Sequence, residues 1–468
     1  MKLFNYSTIL MSIATILVGS FIISWVLWYN GYPLVYSDTG IYIAVAHEHF
    51  IPGDRPQTYG EFIAIFGMHK TLWGPILMQT TLLAFVLFDL CMILTTHKSK
   101  QTNYLITCII LAFTSGISFT SSQIMADVFT PILCLTIANI FLRKKKQPFL
   151  DILNTVIGIF AIGTHNSHVA IAILLFVIFI GFSFFKNKIK YLADFSYNGS
   201  KKIKLTVLFT FGILFTPTLH YFNEGKFTYS SSSHVILMCK FVENGTLKML
   251  LKEMCQDKKY YETHKFCSCY EELPIDISSF LWLDNSPLYK TGGWGEESKK
   301  EYNDIIKELL TTPKYLYLNI TSTIENTLSQ LFRLHVAPGT FAYMENSPPH
   351  HRVHKHYEQE GNSYNLSLQN VNQLETDWIN KIHFHSIFFT VLILIIIWKN
   401  NSKFKKEQII FASFAVIYLV INSLCTAGLH DANPRFQSRV DWIIQLSVLI
   451  IILDNLNTMK KIIQSAFN

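Results

Sequence analysis

Long apolar runs alternate with short polar interruptions along most of the chain, and the runs have the length of bilayer-crossing helices rather than of buried strands. Windows of about 17 to 25 residues place spans at roughly 8–28, 72–95, 104–121, 124–142, 152–165, 169–185, 205–220, 384–398, 408–427 and 441–455, about ten in all. The pattern predicts an all-α polytopic membrane protein. The first run, Thr8 to Trp28 behind Met1-Lys2, suits a bilayer core and shows no small-x-small cleavage site with a mature domain behind it, so it reads as an uncleaved anchor.

The polar interruptions are not alike. Lys98 and Lys100, Arg143-Lys144-Lys145-Lys146, Lys186 to Lys190 with Lys201, Lys202 and Lys204, Lys399 to Lys406, and Lys460-Lys461 all fall on one side of the expected spans. The positive-inside rule makes that side the cytoplasm, with both termini there. The opposite, outer face then carries a first loop at about 29–71, a long segment at about 221–383, and turns holding Ser121 to Asp127, Thr164 to His168 and Gly428 to Asp441. Three parts follow: a membrane module over 1–220 with about seven spans, the extracytoplasmic segment 221–383, and a second membrane module over 384–468 with about three spans. In the outer segment Tyr302, Ile305, Ile306, Leu309 and Leu310 recur at helix spacing, which predicts a helix over about 299–332 and a mostly helical segment.

Composition agrees with membrane insertion: 50% hydrophobic, 14% aromatic and 15% charged residues, with positive mean hydropathy. A net charge of +7 raises nucleic acid as a partner, but the basic residues sit in short clusters between apolar runs, so the expected partner is the lipid bilayer. Of eight cysteines, Cys91, Cys108, Cys134 and Cys425 fall within spans and behave as small hydrophobes. Cys239, Cys255, Cys267 and Cys269 share the outer segment, where an even number in an oxidising compartment predicts one or two disulfides, with three pairings open. Cys267-Ser268-Cys269 leaves only one residue between its cysteines, fewer than structural zinc sites use.

Candidate chemistry collects on the outer face. Ser37-Asp38-Thr39-Gly40-Ile41-Tyr42 places a carboxylate just past the first span, where it can take or orient a proton at the membrane surface; as a bland alternative, Ser37 or Asp38 caps a helix over Thr39 to His49. Asp54-Arg55-Pro56 through Tyr59-Gly60 offers a bidentate donor to a phosphate. Asp127 starts the fourth expected span, and His165 and His168 bracket the next outer turn. His430-Asp431 leads to Arg435 and Arg439, four residues apart on one helix face at a helix start, a suitable cradle for an anion. His350, His351, His354 and His356 invite a metal, but Pro348-Pro349, Arg352 and Lys355 beside them describe a solvated loop, and no metal site is assigned. Gly292-Gly293-Trp294 reads as a turn with an aromatic suited to lining a sugar site.

The order of these features, Ser-Asp-Thr-Gly-Ile-Tyr, then Asp54-Arg55-Pro56-Gln57-Thr58-Tyr59-Gly60-Glu61-Phe62, then Leu72-Trp73-Gly74-Pro75-Ile76-Leu77-Met78-Gln79, resembles the N-terminal half of GT-C superfamily membrane glycosyltransferases. These are the polyprenyl-phosphate-sugar-dependent enzymes related to protein mannosyltransferases and aminoarabinose transferases. The run Arg435-Phe436-Gln437-Ser438-Arg439 before a late span is similar to one that many of them carry. The resemblance implies transfer of a sugar from a lipid-linked donor, a polyprenyl-phosphate carrier, to a glycan, lipid or protein acceptor outside a bacterial inner membrane. It implies Asp38 as general base or acceptor-orienting group, and Arg55, Arg435 and Arg439 as holders of the carrier phosphate. Tyr42, Asp54, Tyr59, Asp127, His165, His430 and Asp431 then line the cavity. A divalent cation, Mg or Mn, is compatible with a phosphate leaving group but not required by these residues. Where many members pair two acids early in this loop, Asp38 is followed by Thr39, and the next acids are Glu48 and Asp54. Two other readings stay open: an acyl or lipid-group transferase with His165 or His430-Asp431 as base, and a non-enzymatic transporter or envelope assembly protein.

Overall fold

The computed structural model describes residues 6–96, 99–185 and 199–467; Met1-Lys2, Lys98 and the basic cluster at Lys186 to Lys190 lie outside them. Helices account for nearly all regular structure among these residues. The first part holds α1 (Tyr6–Ile23), α2 (Trp25–Asn30), α3 (Thr39–Glu48), α4 (Thr58–Gly67), α5 (Trp73–Leu94), α6 (Lys100–Thr114), α7 (Ile117–Ser122), α8 (Phe129–Leu142), α9 (Pro148–Gly163), α10 (Asn166–Phe185) and α11 (Gly199–Glu224). A middle part follows with α12 (Ser233–Glu243), α13 (Thr246–Met254), α14 (Lys258–Thr263), α15 (Ile277–Trp282), α16 (Pro287–Lys290), α17 (Glu296–Thr311), α18 (Pro313–Leu331), α19 (Pro348–His356) and α20 (Gly361–Asn365). The chain closes with α21 (Asp377–Lys399), α22 (Lys406–Thr426), α23 (Pro434–Ser438), α24 (Trp442–Asp454) and α25 (Leu456–Phe467).

The protein is an all-α, largely membrane-spanning protein. Among the described residues six helices are long and apolar enough to cross a bilayer: α1, α5, α11, α21, α22 and the stretch Pro434–Asp454 that joins α23 to α24. This corrects the expectation of about ten. The apolar runs are real, but backbone breaks divide them: Ser115 turns to an extended conformation between α6 and α7, and a 3-10 turn at Ala126–Val128 leaves α8 with 14 residues. At 1.5 Å per residue α8 reaches only about 21 Å, short of a hydrocarbon core of about 30 Å. A hydropathy window counts apolar residues and is blind to such breaks.

Burial separates the helices by role. Pro434–Asp454, α22 and α5 are mostly buried, whereas α1 and α21 leave most of their apolar side chains on the surface, as lipid-facing helices do. The main core joins α3, α5, α8, α9 and α22 through Tyr42, Leu87, Phe129, Ile162 and Tyr418.

At one end of this bundle Arg143 at the foot of α8 donates to Asp89 at 2.5 Å and to Asp151 at 2.8 Å, and Lys204 pairs with Asp151 at 2.6 Å. Asp89 and Asp151 escaped the sequence reading, although a carboxylate inside an apolar helix is itself a signal of a buried partner. Their two charges balance Arg143 and Lys204, which lets α5, α8, α9 and α11 meet without leaving any of these four ions unpaired. The polar loops occupy the other end.

The middle part has its own core, in which Met238, Leu250, Phe266, Phe280, Leu288, Tyr302 and Leu309 pack together. The helix expected over 299–332 is two helices, α17 and α18, broken at Thr312-Pro313, because proline cannot continue a helix from its preceding residue. Tyr302, Ile305, Ile306 and Leu309 face inward as the spacing requires, but Leu310 is exposed. Of the one or two disulfides expected in the outer segment, one is present among the described residues, Cys255–Cys267, while the other two candidates, Cys239 and Cys269, are buried free thiols. A small apolar core already encloses both, so they serve as packing groups.

Candidate functional site

The first loop is fixed to the rest of the bundle by backbone. Leu34 N–H donates to Ser122 O at 2.9 Å, and Ile124 N–H donates to Leu34 O at 2.9 Å, a parallel bridge that sets residues 35–38 beside the start of α8. Gln369 grips the same strand, accepting from Val35 N–H at 3.0 Å and donating to Val35 O at 2.8 Å. Thr39 then donates to Ile124 O at 3.0 Å. Gly40 is needed where it stands: a Cβ there would lie 2.7 Å from the backbone of Pro348, where α19 crosses α3.

Asp38 occupies the N-cap position of α3 but caps nothing, since its side chain makes no bond to the helix backbone. It turns instead to two arginines. Arg55 Nη1 lies 3.1 Å from Oδ1, and Arg435 Nη1 lies 2.8 Å from Oδ2. Burial alone would push the Asp38 carboxyl up, but the guanidiniums of Arg55 and Arg435 overcome it and hold it at about 2. Arg55 also closes on its neighbour Asp54, donating from Nη2 at 2.8 Å and Nε at 3.0 Å to Oδ2.

The network continues inward. Arg435 donates from Nε at 2.9 Å to Asp127 Oδ2, and Arg439 Nη1 donates at 2.8 Å to Asp127 Oδ1. Arg439 is almost fully enclosed and spends Nη2 on Asn422 Oδ1 at 3.0 Å and Ser167 Oγ at 3.2 Å. Arg435 lies over the Tyr36 ring at 4.7 Å, and Arg439 over Phe436 at 5.0 Å. Asn422 on α22 and Ser167 on α10 were not singled out from sequence, though a polar Asn within an apolar span was a readable signal. Three guanidiniums face three carboxylates, Asp38, Asp54 and Asp127, so the cluster is balanced in charge.

Above this cluster opens a cavity of about 480 Å³. Asp38, Tyr42, Asp54, Arg55, His165, His430, Asp431 and Arg435 all line it. The remaining candidates sit behind its wall. Asp127 and Arg439 border a separate pocket of about 20 Å³, room for a single water molecule. Tyr59 is buried against Tyr42, ring centroids 4.8 Å apart, and donates to Gln79 Oε1 at 2.7 Å. His168 is a core histidine, bonded to Thr130 Oγ1 at 2.6 Å and Ala161 O at 2.8 Å. The far wall comes from the middle part of the chain: Trp282 at the end of α15 and Trp294, ring centroids 5.9 Å apart, face the cavity with Ile277 and Leu281. Trp282 was not anticipated.

Asp38 and Asp127 each have both oxygens bound by arginine, and a divalent cation at either would sit against a guanidinium. These residues do not fit Mg or Mn. The histidine cluster does not converge either: His350 stacks on His354 at 4.0 Å, while His356 bonds Glu48 at 2.9 Å. Among the described residues no group of three or more His, Cys, Asp or Glu side chains is placed to hold a metal ion.

No protein-family model matches the chain, and no curated protein or solved structure shows significant similarity to it.

Proposed function

We propose that the protein is a GT-C-like glycosyltransferase that moves a sugar from a polyprenyl-phosphate carrier to an acceptor at the outer face of a bacterial inner membrane. The observation that carries this reading is the convergence of Arg55 and Arg435, 380 positions apart in the chain, on one carboxylate at the edge of a 480 Å³ cavity beside the apolar bundle. Two guanidiniums aimed at one point suit the oxygens of a phosphate, and a leaving phosphate is stabilised by donors already in place. Asp38 keeps the two arginines aimed; Asp127, braced by the enclosed Arg439, anchors Arg435 from behind. The tryptophan pair on the far wall offers flat apolar faces to a sugar ring. Arg143, Lys144, Lys204 and Lys405 collect at the opposite end of the bundle, which supports placing that end and both termini in the cytoplasm.

The test is expression in a bacterial host, with masses of surface glycans, lipids and proteins compared with those from an Arg435→Ala variant, alongside native mass spectrometry of the purified protein with undecaprenyl phosphate. A sugar-sized mass gain that needs Arg435, and retention of undecaprenyl phosphate, are the expected results. A wild-type protein that changes no mass and retains no polyprenyl phosphate overturns the reading.

A further inference from the structure

Every acid in the arginine cluster is already engaged. Asp38 and Asp127 have both oxygens bound by arginine, and Asp54 takes two bonds from Arg55. With both oxygens held by arginine, Asp38 and Asp127 are weak proton acceptors, because taking the proton means surrendering a charge-assisted bond. His165 fares no better: its Nδ1 is bonded to Ser167 Oγ at 2.8 Å, and burial with His168 and Arg439 nearby pushes it well below the ordinary histidine value. Burial likewise pushes the Tyr42 hydroxyl up, which leaves it a proton donor at neutral pH.

One group in the cavity wall is in a different state. His430 Nδ1 is hydrogen-bonded to Asp431 Oδ1. An ionised carboxylate only accepts, so Nδ1 carries a proton, and in the neutral ring the lone pair is on Nε2. The His430 side chain is 28% exposed and lines the cavity, and Asp431 stands ready to balance the imidazolium that proton uptake would create. The turn that carries the pair is held from the middle part of the chain. Lys240 Nζ donates to Ala427 O and to His430 O, each at 3.4 Å, and Gln330 exchanges bonds of 2.9 and 2.8 Å with the backbone of Asn433. Burial alone would push the Asp431 carboxyl up, but the bond to His430, its own backbone N–H and the nearby Arg333 hold it below its ordinary value.

Resting on the transferase reading, we propose that His430, oriented by Asp431, is the general base that takes the proton of the acceptor hydroxyl, and that Asp38 is a positioning residue for Arg55 and Arg435. The acceptor O–H proton passes to His430 Nε2 as its oxygen bonds to the anomeric carbon of the donor sugar. The bond from that carbon to the carrier phosphate oxygen breaks, and its electron pair stays on the phosphate, against Arg55 and Arg435. His430 then returns its proton to solvent through its exposed edge.

The test uses full-length protein in lipid nanodiscs with decaprenyl-phosphate glucose, mannose and galactose as donors and glycerol or water as acceptor, reading released decaprenyl phosphate by mass spectrometry. His430→Ala is expected to slow release about 100-fold or more, to retain undecaprenyl phosphate as the wild type does, and to be partly rescued by added imidazole. Asp431→Asn is expected to slow release and shift its acid limb. If His430→Ala stays within about twofold of wild type, the base assignment falls and the transferase reading stands. If His430→Ala is slow but imidazole restores nothing and undecaprenyl phosphate is lost, the residue is structural and the assignment falls. If the wild type releases decaprenyl phosphate from none of the three donors, the base assignment falls, and if it also fails to retain undecaprenyl phosphate, the transferase reading falls with it.

Discussion

Asp38 and Arg435 lie 397 positions apart in the chain and 2.8 Å apart in the fold. Since Arg55 takes the other oxygen of Asp38, that carboxylate sits where an external anion would sit. Asp38→Asn therefore removes the charge that competes for the two guanidiniums, while its amide oxygen still accepts a bond that keeps one of them aimed. Affinity for undecaprenyl phosphate should rise about tenfold, equivalent to about 1.4 kcal/mol, in a native mass spectrometry titration. Unchanged or weaker binding would show that the two arginines do not face the anion.

Asp127 has the opposite character, because nothing outside the protein can replace it. It is almost fully enclosed and bridges Arg435 and Arg439, one on each oxygen. Breaking a buried ion pair from one side costs about 3–5 kcal/mol, so Asp127→Asn should unfold markedly earlier in detergent. Pairing it with Arg439→Met should recover part of the loss, since the second change removes the stranded charge. Fully additive losses would contradict the coupling.

Lys240 joins the middle part of the chain to the turn that bears His430. Lys240→Met should leave the membrane helices intact but loosen residues 427–433, with hydrogen exchange there faster by about tenfold, or about 1.4 kcal/mol of local opening. Exchange confined to the neighbourhood of α12 would show that the clamp holds nothing.

Acid should weaken the contact between α3 and α19. Burial, with His356 and His69 close by, holds His47 down at about 4, against an ordinary value of 6.5. Between those values the unfolded chain binds the proton and the folded chain does not, so stability falls as pH drops from 6.5 to about 4. Bonds from His356 and Lys355 hold Glu48 down at about 2, against 4.5, which adds a second loss below pH 4.5. His47→Gln should flatten the upper part of the melting-temperature profile, and an unaltered slope there would rule His47 out as its source.

Much of the architecture was readable because apolar helices must announce themselves in a bilayer. Asp38, Arg55 and Arg435 were readable for the same reason, as charges where charge is costly. The number of crossings was not, since Ser115 and the turn at Ala126–Val128 break helices without interrupting hydrophobicity. Depth was hidden too: Arg439 is only one turn from Arg435, yet Arg435 reaches the cavity and Arg439 ends at Asn422 and Asp127. Tyr59 and Tyr42 looked equivalent in sequence, yet Tyr42 lines the cavity and Tyr59 packs behind it. Partner choice among four cysteines and the approach of Trp282 depend on long-range folding of the middle part, which leaves no local signature.

The balance between aspartates and arginines also orders events during synthesis. Asp38, Arg55 and Asp127 leave the ribosome long before Arg435 and Arg439, so the nascent chain carries acids at the bilayer edge without their later counterions. A chain stalled before α23 would leave Asp127 without either of its arginines. Emergence of α23, with Arg435 inside it and Arg439 at its end, supplies the counterions that close the cluster.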